Sequence, residues 1–263
     1  MPDIRSKILR KLAETQACYG VKILLAIESG SRGWGFASPD SDYDCRFIYA
    51  HPRDWYLTVF EKKDIIEYAV DPVFDVNGWD IKKVLQHIIK SNAVMFEWLS
   101  SNEVYLKDET ITGLLQSLAA DFFNPIAVSY HYLSIAKKKL ADILAEDTAK
   151  LKQYFYILRP IANLNFIQQH GKMPYMEYDR TLSETEAPPE IRSAVQELMA
   201  VKVISNEGCK IKQHEQLITY FKLEIDNFTE RLHNIKFQKN QDRERIDLVF
   251  KKIIEWAQAN ECE

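Results

Sequence analysis

The chain has 263 residues, enough for one large domain or two modest ones with a substantial core. Hydrophobic residues make up 46% and charged residues 27%, with 12% aromatic and only 8 glycines, which excludes a disordered or low-complexity chain. A formal net charge of -4 excludes nucleic-acid binding by bulk charge, so a polynucleotide partner would need a local basic patch.

Ile4, Ile8, Leu9 and Leu12 share one face and predict a helix over 4–17, without the pattern of a secretory signal. The apolar run 21–27 is strand length and reads as buried. Residues 30–41 hold Gly30, Gly33, Gly35 and Pro39 with little periodicity, and read as a loop with one helical turn. Strands are predicted over 43–49 and 64–70; Pro72 breaks the chain and a strand resumes over 73–76. Asn77-Gly78 reads as a turn, and Asp80 as the cap of a helix over 81–90, with a short helix over 94–99 behind it. Beyond about residue 110 helical patterns dominate: 110–121, 125–144, 147–168, 189–202, 211–236 and 241–259, with 171–189 a long proline-containing loop. The expected organisation is α+β, with an N-terminal domain over residues 1–110 and a helical domain over 111–263. No apolar run approaches the roughly 20 residues of a membrane helix. Cys18, Cys45, Cys209 and Cys262 show no C-x-x-C spacing, so reduced thiols in a cytoplasmic protein without a membrane partner are expected.

The segment Ser41-Asp42-Tyr43-Asp44 carries the strongest chemical signal. Side chains alternate along a strand, so Asp42 and Asp44 project from one face. Two short anionic arms side by side repel, and a hard divalent cation relieves that while also holding phosphate oxygens. Gly30-Ser31-Arg32-Gly33 lies just ahead, directly after the first strand. A glycine there admits backbone N–H groups close to an anion. Ser31 can donate to a phosphate oxygen, and Arg32 adds a planar charged fork. A third carboxylate would complete a two-metal site, and Asp75, between apolar neighbours on a predicted strand, is the leading candidate. Asp71 and Asp80 are rivals, more simply read as part of an Asp-Pro turn and as a helix cap. A calcium loop starting at Asp40 fails, because its sixth position is Cys45 and its twelfth is His51.

Gly30-Ser31-Arg32 followed by Ser41-Asp42-Tyr43-Asp44 resembles the core motif of the DNA polymerase β nucleotidyltransferase superfamily. Asp75-Val76-Asn77-Gly78-Trp79-Asp80-Ile81-Lys82-Lys83, Ser91-Asn92 with Glu97-Trp98-Leu99, and Tyr156-Ile157-Leu158-Arg159-Pro160 resemble the bacterial and phage nucleotidyltransferases of the YcgL type, among them a phage protein linked to RNA ligase. The likeness spans roughly residues 20 to 170 and is weaker over the rest. It implies a polymerase-β-like mixed sheet with flanking helices, followed by a helical C-terminal domain. It implies two Mg²⁺ or Mn²⁺ ions on Asp42, Asp44 and Asp75, and transfer of a nucleoside monophosphate from a triphosphate to a hydroxyl with release of pyrophosphate. Gly30 and Ser31 would hold the triphosphate, and Asp75 would orient the attacking hydroxyl of an RNA end, a protein or a small molecule. A binding module that holds a metal–nucleotide complex without turnover is the alternative.

Lys152, Tyr156 and Arg159 recur at helical spacing and share a face. Arg159 and Lys152 would clamp a triphosphate and Tyr156 would stack on a base, as against a solvated basic face. Lys82 and Lys83 read as a solvated helix start, Trp34 and Phe36 as loop packing residues, and the six histidines show no metal spacing.

Overall fold

A computed structural model describes residues 3–71, 74–233, 235 and 242–259. The break at Pro72, the strand start at Val73, the tail of the predicted 211–236 helix, residue 241 and Cys262 lie outside the described residues. The structure is mixed α+β. The chain divides into two compact units. The first comprises the chain to Gly33, Asp42–Phe122 and the C-terminal helix; the second comprises Trp34–Ser41 and the chain from Phe123 onward to that last helix.

In the first unit, helix α1 (Ile4–Tyr19) ends at Gly20, whose φ of 60° supplies the left-handed stop. Strand β1 (Lys22–Glu28) follows, then the short turn α2 (Gly30–Gly33) and strand β2 (Tyr43–Ala50). After α3 (Arg53–Tyr56) come β3 (Ile65–Asp71) and β4 (Phe74–Asp80), then α4 (Ile81–Ile89), α5 (Ala93–Ser100), β5 (Val104–Lys107) and α6 (Glu109–Phe122). The five strands form one sheet in the order β3-β4-β2-β1-β5. The β2–β4 pair is parallel and the others are antiparallel. The run Ile23 to Ile27 is buried throughout because β1 lies inside the sheet between β2 and β5, as its continuous apolar character predicts. On one sheet face Ile8 and Leu12 of α1 pack with Ile23, Cys45, Phe47, Tyr49, Phe74 and Val76. At the other end of β4, Trp79 packs on His87 and Trp98, with ring centroids 4.7 and 4.8 Å away.

Asn77-Gly78 is not a turn but the interior of β4. Gly78 pairs with Phe47, and a Cβ on it would lie 2.1 Å from the Phe47 ring. The glycine makes room for an aromatic ring rather than for a reversal. Asp80 does cap α4, accepting from Lys82 N at 2.8 Å, and accepts from the Tyr56 hydroxyl at 2.7 Å. Burial pushes its carboxyl up to about 6. The last helix, α12 (Arg243–Ala259), belongs to this unit, through Phe250 edge-on to Tyr56 at 5.1 Å and an Arg245–Asp121 ion pair. Among the described residues no single helix is long and apolar enough to cross a membrane.

The second unit is helical. Asn124 caps α7 (Pro125–Leu144), accepting from Ile126 N and Ala127 N at 3.0 and 3.1 Å. α7 pairs with α8 (Leu151–His170), and α9 (Tyr178–Ser183), α10 (Pro189–Ile204) and α11 (Glu215–His233) complete the unit. Two short segments, β6 (Thr148–Lys150) and β7 (Lys210–Lys212), pair antiparallel where helix ends were expected. The expected loop over 171–189 contains α9, a helix too short to show a period. Phe36 of the Trp34–Ser41 segment is 1% exposed and stacks on Phe155 at 5.1 Å. Lys202 is fully buried, donating to the Ser38 hydroxyl at 2.6 Å and pairing with Glu207 at 3.1 Å. Glu207 also accepts from the Ser41 hydroxyl at 2.5 Å and pairs with Lys152 at 3.1 Å.

This cluster has a pH signature. Burial opposes ionisation of Glu207, but the hydrogen bonds and charge of Ser41, Lys152 and Lys202 outweigh it and bring its carboxyl down to about 2 from 4.5. Its contribution to stability is complete above pH 4.5 and is lost as pH falls from there toward 2. In thermal melts across that window, Glu207→Gln should show a shallower loss of Tm on acidification than the wild type; parallel curves would contradict the pairing.

Candidate active site

The geometry begins with β1 and β2. Glu28, at the end of β1, is 3% exposed. Its Oε1 accepts from the Asp44 backbone N–H at 2.9 Å and its Oε2 from the Tyr105 hydroxyl at 2.5 Å. Burial raises the Glu28 carboxyl, the two hydrogen bonds lower it, and the Asp44 charge raises it again. Ser29 N–H donates to Asp44 carbonyl at 2.9 Å, so the chain leaves β1 tied to the start of β2. It then turns at once into α2, and Gly30 takes a φ of 59°. A Cβ there would lie 2.0 Å from Asp44 Oδ2, so this position needs glycine twice over, for its backbone and for its neighbour.

Asp75 sits where a third carboxylate is useful. In the parallel β2–β4 ladder, Asp44 pairs with Asp75 and Arg46 with Asn77. Neighbouring strands lie about 4.8 Å apart, so both carboxylates stand side by side on one sheet face. At about 5 Å near a protein surface two such charges repel by roughly 3 kcal/mol. Arg46 answers that repulsion: Nη2 meets Asp44 Oδ1 at 2.7 Å and Nη1 meets Asp75 Oδ2 at 3.2 Å. The Asp44 carboxyl is raised chiefly by burial, against the Arg46 charge, with Asp75 and Asp42 adding to the rise. Asp42 is exposed and stands just before β2 rather than in it. Its carbonyl accepts from Arg32 Nε at 3.1 Å, and the Arg32 guanidinium lies 3.9 Å over the Tyr43 ring.

Gly30, Ser31, Arg32, Asp42, Asp44 and Asp75 therefore all belong to the first unit, gathered about the starts of β2 and β4. Lys152, Tyr156 and Arg159 belong to the second, on α8. Arg159 is 5% exposed, its guanidinium 4.4 Å over the Trp34 ring, and Tyr156 meets the same ring edge-on at 5.9 Å. Arg159, Trp34 and Tyr156 thus form an aromatic–cationic stack, while Lys152 pairs with Glu207. Lys83 is engaged by Asp64 at 3.1 Å. Glu28 and Arg46 escaped the sequence reading, although each carried a signal. Glu28 is an acid ending an apolar strand, and Arg46 stands two residues beyond Asp44 and so on the same face.

Among the described residues no three His, Cys, Asp or Glu side chains converge as a closed metal shell does. Asp44 and Asp75 in register, with the Asp42 charge felt at Asp44, are nonetheless the hard-oxygen donors that Mg²⁺ or Mn²⁺ takes. The residues fit such an ion in chemistry, with Arg46 supplying the positive charge between them here.

Gly20 and Gly30 separate the two demands made on glycine, since both have φ near 60° but a Cβ on Gly20 meets nothing within 4 Å. Gly20→Ala should cost about 1–2 kcal/mol of stability from backbone strain alone. Gly30→Ala should cost more, because Asp44 must also move. Chemical denaturation of both variants checks this, and equal losses would contradict the Gly30–Asp44 fit.

A crystal structure of a nucleotidyltransferase-like protein from Exiguobacterium sibiricum 255-15 aligns over 97% of this chain and 90% of its own, at 10% identity and a TM-score of 0.32. The uncharacterized protein YcgL of Bacillus subtilis (strain 168) is 34% identical over 252 residues, covering 96% of this chain and 97% of its own. The profile of the RlaP family matches residues 4–252. The chain belongs to that family, described as the RNA repair pathway DNA polymerase beta family.

Proposed function

We propose that this protein transfers a nucleoside monophosphate from a nucleoside triphosphate to an acceptor hydroxyl, and that the acceptor is an RNA end. The observation that carries the reading is the in-register pair Asp44–Asp75 set against the Cβ-free backbone of Gly30. Family membership supports the reaction class, and its description as an RNA repair family favours RNA over a protein or a small molecule as acceptor.

The acceptor oxygen forms a bond to the α-phosphorus, and the bond from that phosphorus to the oxygen bridging to the β-phosphate breaks, releasing pyrophosphate. Asp42, Asp44 and Asp75 would hold Mg²⁺ or Mn²⁺, which when bound neutralises triphosphate and developing alkoxide charge. Gly30 and Ser31 would lie along the triphosphate, where the missing Cβ admits backbone N–H groups and the Ser31 hydroxyl donates. Asp75 orients the acceptor hydroxyl and takes its proton. Arg32, at the same turn, adds positive charge toward phosphate. Lys152, Tyr156 and Arg159 are assigned to the nucleotide through their shared helix face, and Lys152 must then share its charge with Glu207. Most of the rate enhancement expected of such a site comes from position and charge.

Incubation with each α-labelled triphosphate, Mg²⁺ or Mn²⁺, and RNA, protein or small-molecule acceptors should move label to RNA ends and release pyrophosphate. Asp44→Asn should lower transfer about a hundredfold or more, with circular dichroism unchanged. Transfer retained in Asp44→Asn would sink the assignment. Metal-dependent nucleotide binding with no transfer to any acceptor would favour the binding-module alternative.

A further inference from the structure

We propose that Arg46 is a positioning residue that holds the metal site open for its ion: its guanidinium keeps Asp44 and Asp75 parallel before a divalent cation binds, and the cation must displace it. This rests on the metal-dependent reading given under the proposed function. Three observations carry it. Asp44 and Asp75 are ladder partners, so neither strand can turn its carboxylate away without losing register. Arg46 spans both, giving one nitrogen to each, and Nη1 also donates to the Cys45 carbonyl at 3.1 Å, which fixes the plane of the fork. The remaining Asp44 oxygen, Oδ2, is the one packed against Gly30. A cation held by Asp44 therefore competes with Arg46 for Oδ1, which is already engaged by a positive charge.

The arrangement separates two functions that a lone acidic pair would confuse. Without the arginine, the carboxylates repel and the starts of β2 and β4 loosen whenever metal is absent. With it, the site is built in advance at a cost in metal affinity. Lysine cannot reproduce this, since a single ammonium lacks the planar fork that reaches two carboxylates at once.

The test is calorimetric titration of the full chain with Mn²⁺, without nucleotide, alongside thermal melts with and without the ion. Arg46→Met should bind Mn²⁺ about tenfold more tightly than the wild type, about 1.4 kcal/mol. It should melt lower without metal and recover most of that loss when Mn²⁺ is added. Arg46→Lys, which keeps the charge, should shift affinity in the same direction by a smaller factor, and it stands in should the Met variant fail to fold. Equal or weaker Mn²⁺ binding in the variants, with wild-type binding intact, overturns the proposal alone. No Mn²⁺ binding in the wild type or in either variant overturns the metal-dependent reading and this proposal with it.

Discussion

Asp44 Oδ2 lies where a side chain on Gly30 would begin, and the first unit is arranged about that contact. The contact requires a left-handed backbone at the end of β1, which only glycine takes cheaply. It also requires β2 to begin where it does. Glu28 fixes that start by accepting from the Asp44 backbone, while Ser29 donates to the Asp44 carbonyl. With β2 so placed, its parallel pairing with β4 brings Asp75 beside Asp44. A one-residue slip in that pairing would put Asp75 on the opposite sheet face. Sheet order, register and one glycine therefore decide together whether the two acids meet.

Burial on the opposite face enforces the register. Cys45, Phe47, Phe74 and Val76 point into the core with α1, which leaves Asp44, Arg46, Asp75 and Asn77 on the other side. Gly78 leaves room for the far end of the Phe47 ring beside β4, where any Cβ would push it away. The same alternation that packs the core thus sets out the charged group. The charges then need one another: a pair of carboxylates without Arg46 would strain the strands that the core holds together.

Strands β1 to β4 and most helices were legible because their hydrophobic patterns are clean. The continuous apolar run of β1 and the 3.6-residue pattern of α1 leave little choice. The strand positions of Asp44 and Asp75 were legible too, Asp75 from its apolar neighbours, whereas Asp42, read as opening the same strand, stands just before it. Asn77-Gly78 misled because an Asn-Gly pair usually marks a reversal, whereas here the glycine answers a ring on the next strand, a partner no local pattern reveals. β5, β6, β7, α3 and α9 are each six residues or fewer and carry no measurable period. Arg46 was hidden by its neighbours: between Asp44 and an apolar run it looks like an ordinary strand charge, and only the pairing of β2 with β4 shows what it spans. The Glu207 cluster joins Ser38, Ser41, Lys152 and Lys202 across up to 166 positions, a separation beyond any motif.

The most direct test of the central claim is anomalous diffraction from crystals grown with Mn²⁺ and a non-hydrolysable nucleoside triphosphate. The account predicts a manganese peak bound by Asp44 and Asp75, with the triphosphate along Gly30 and Ser31 and the Arg46 guanidinium withdrawn from at least one carboxylate. A nucleotide bound elsewhere, or no manganese at Asp44 and Asp75 while Arg46 still bridges them, would contradict it.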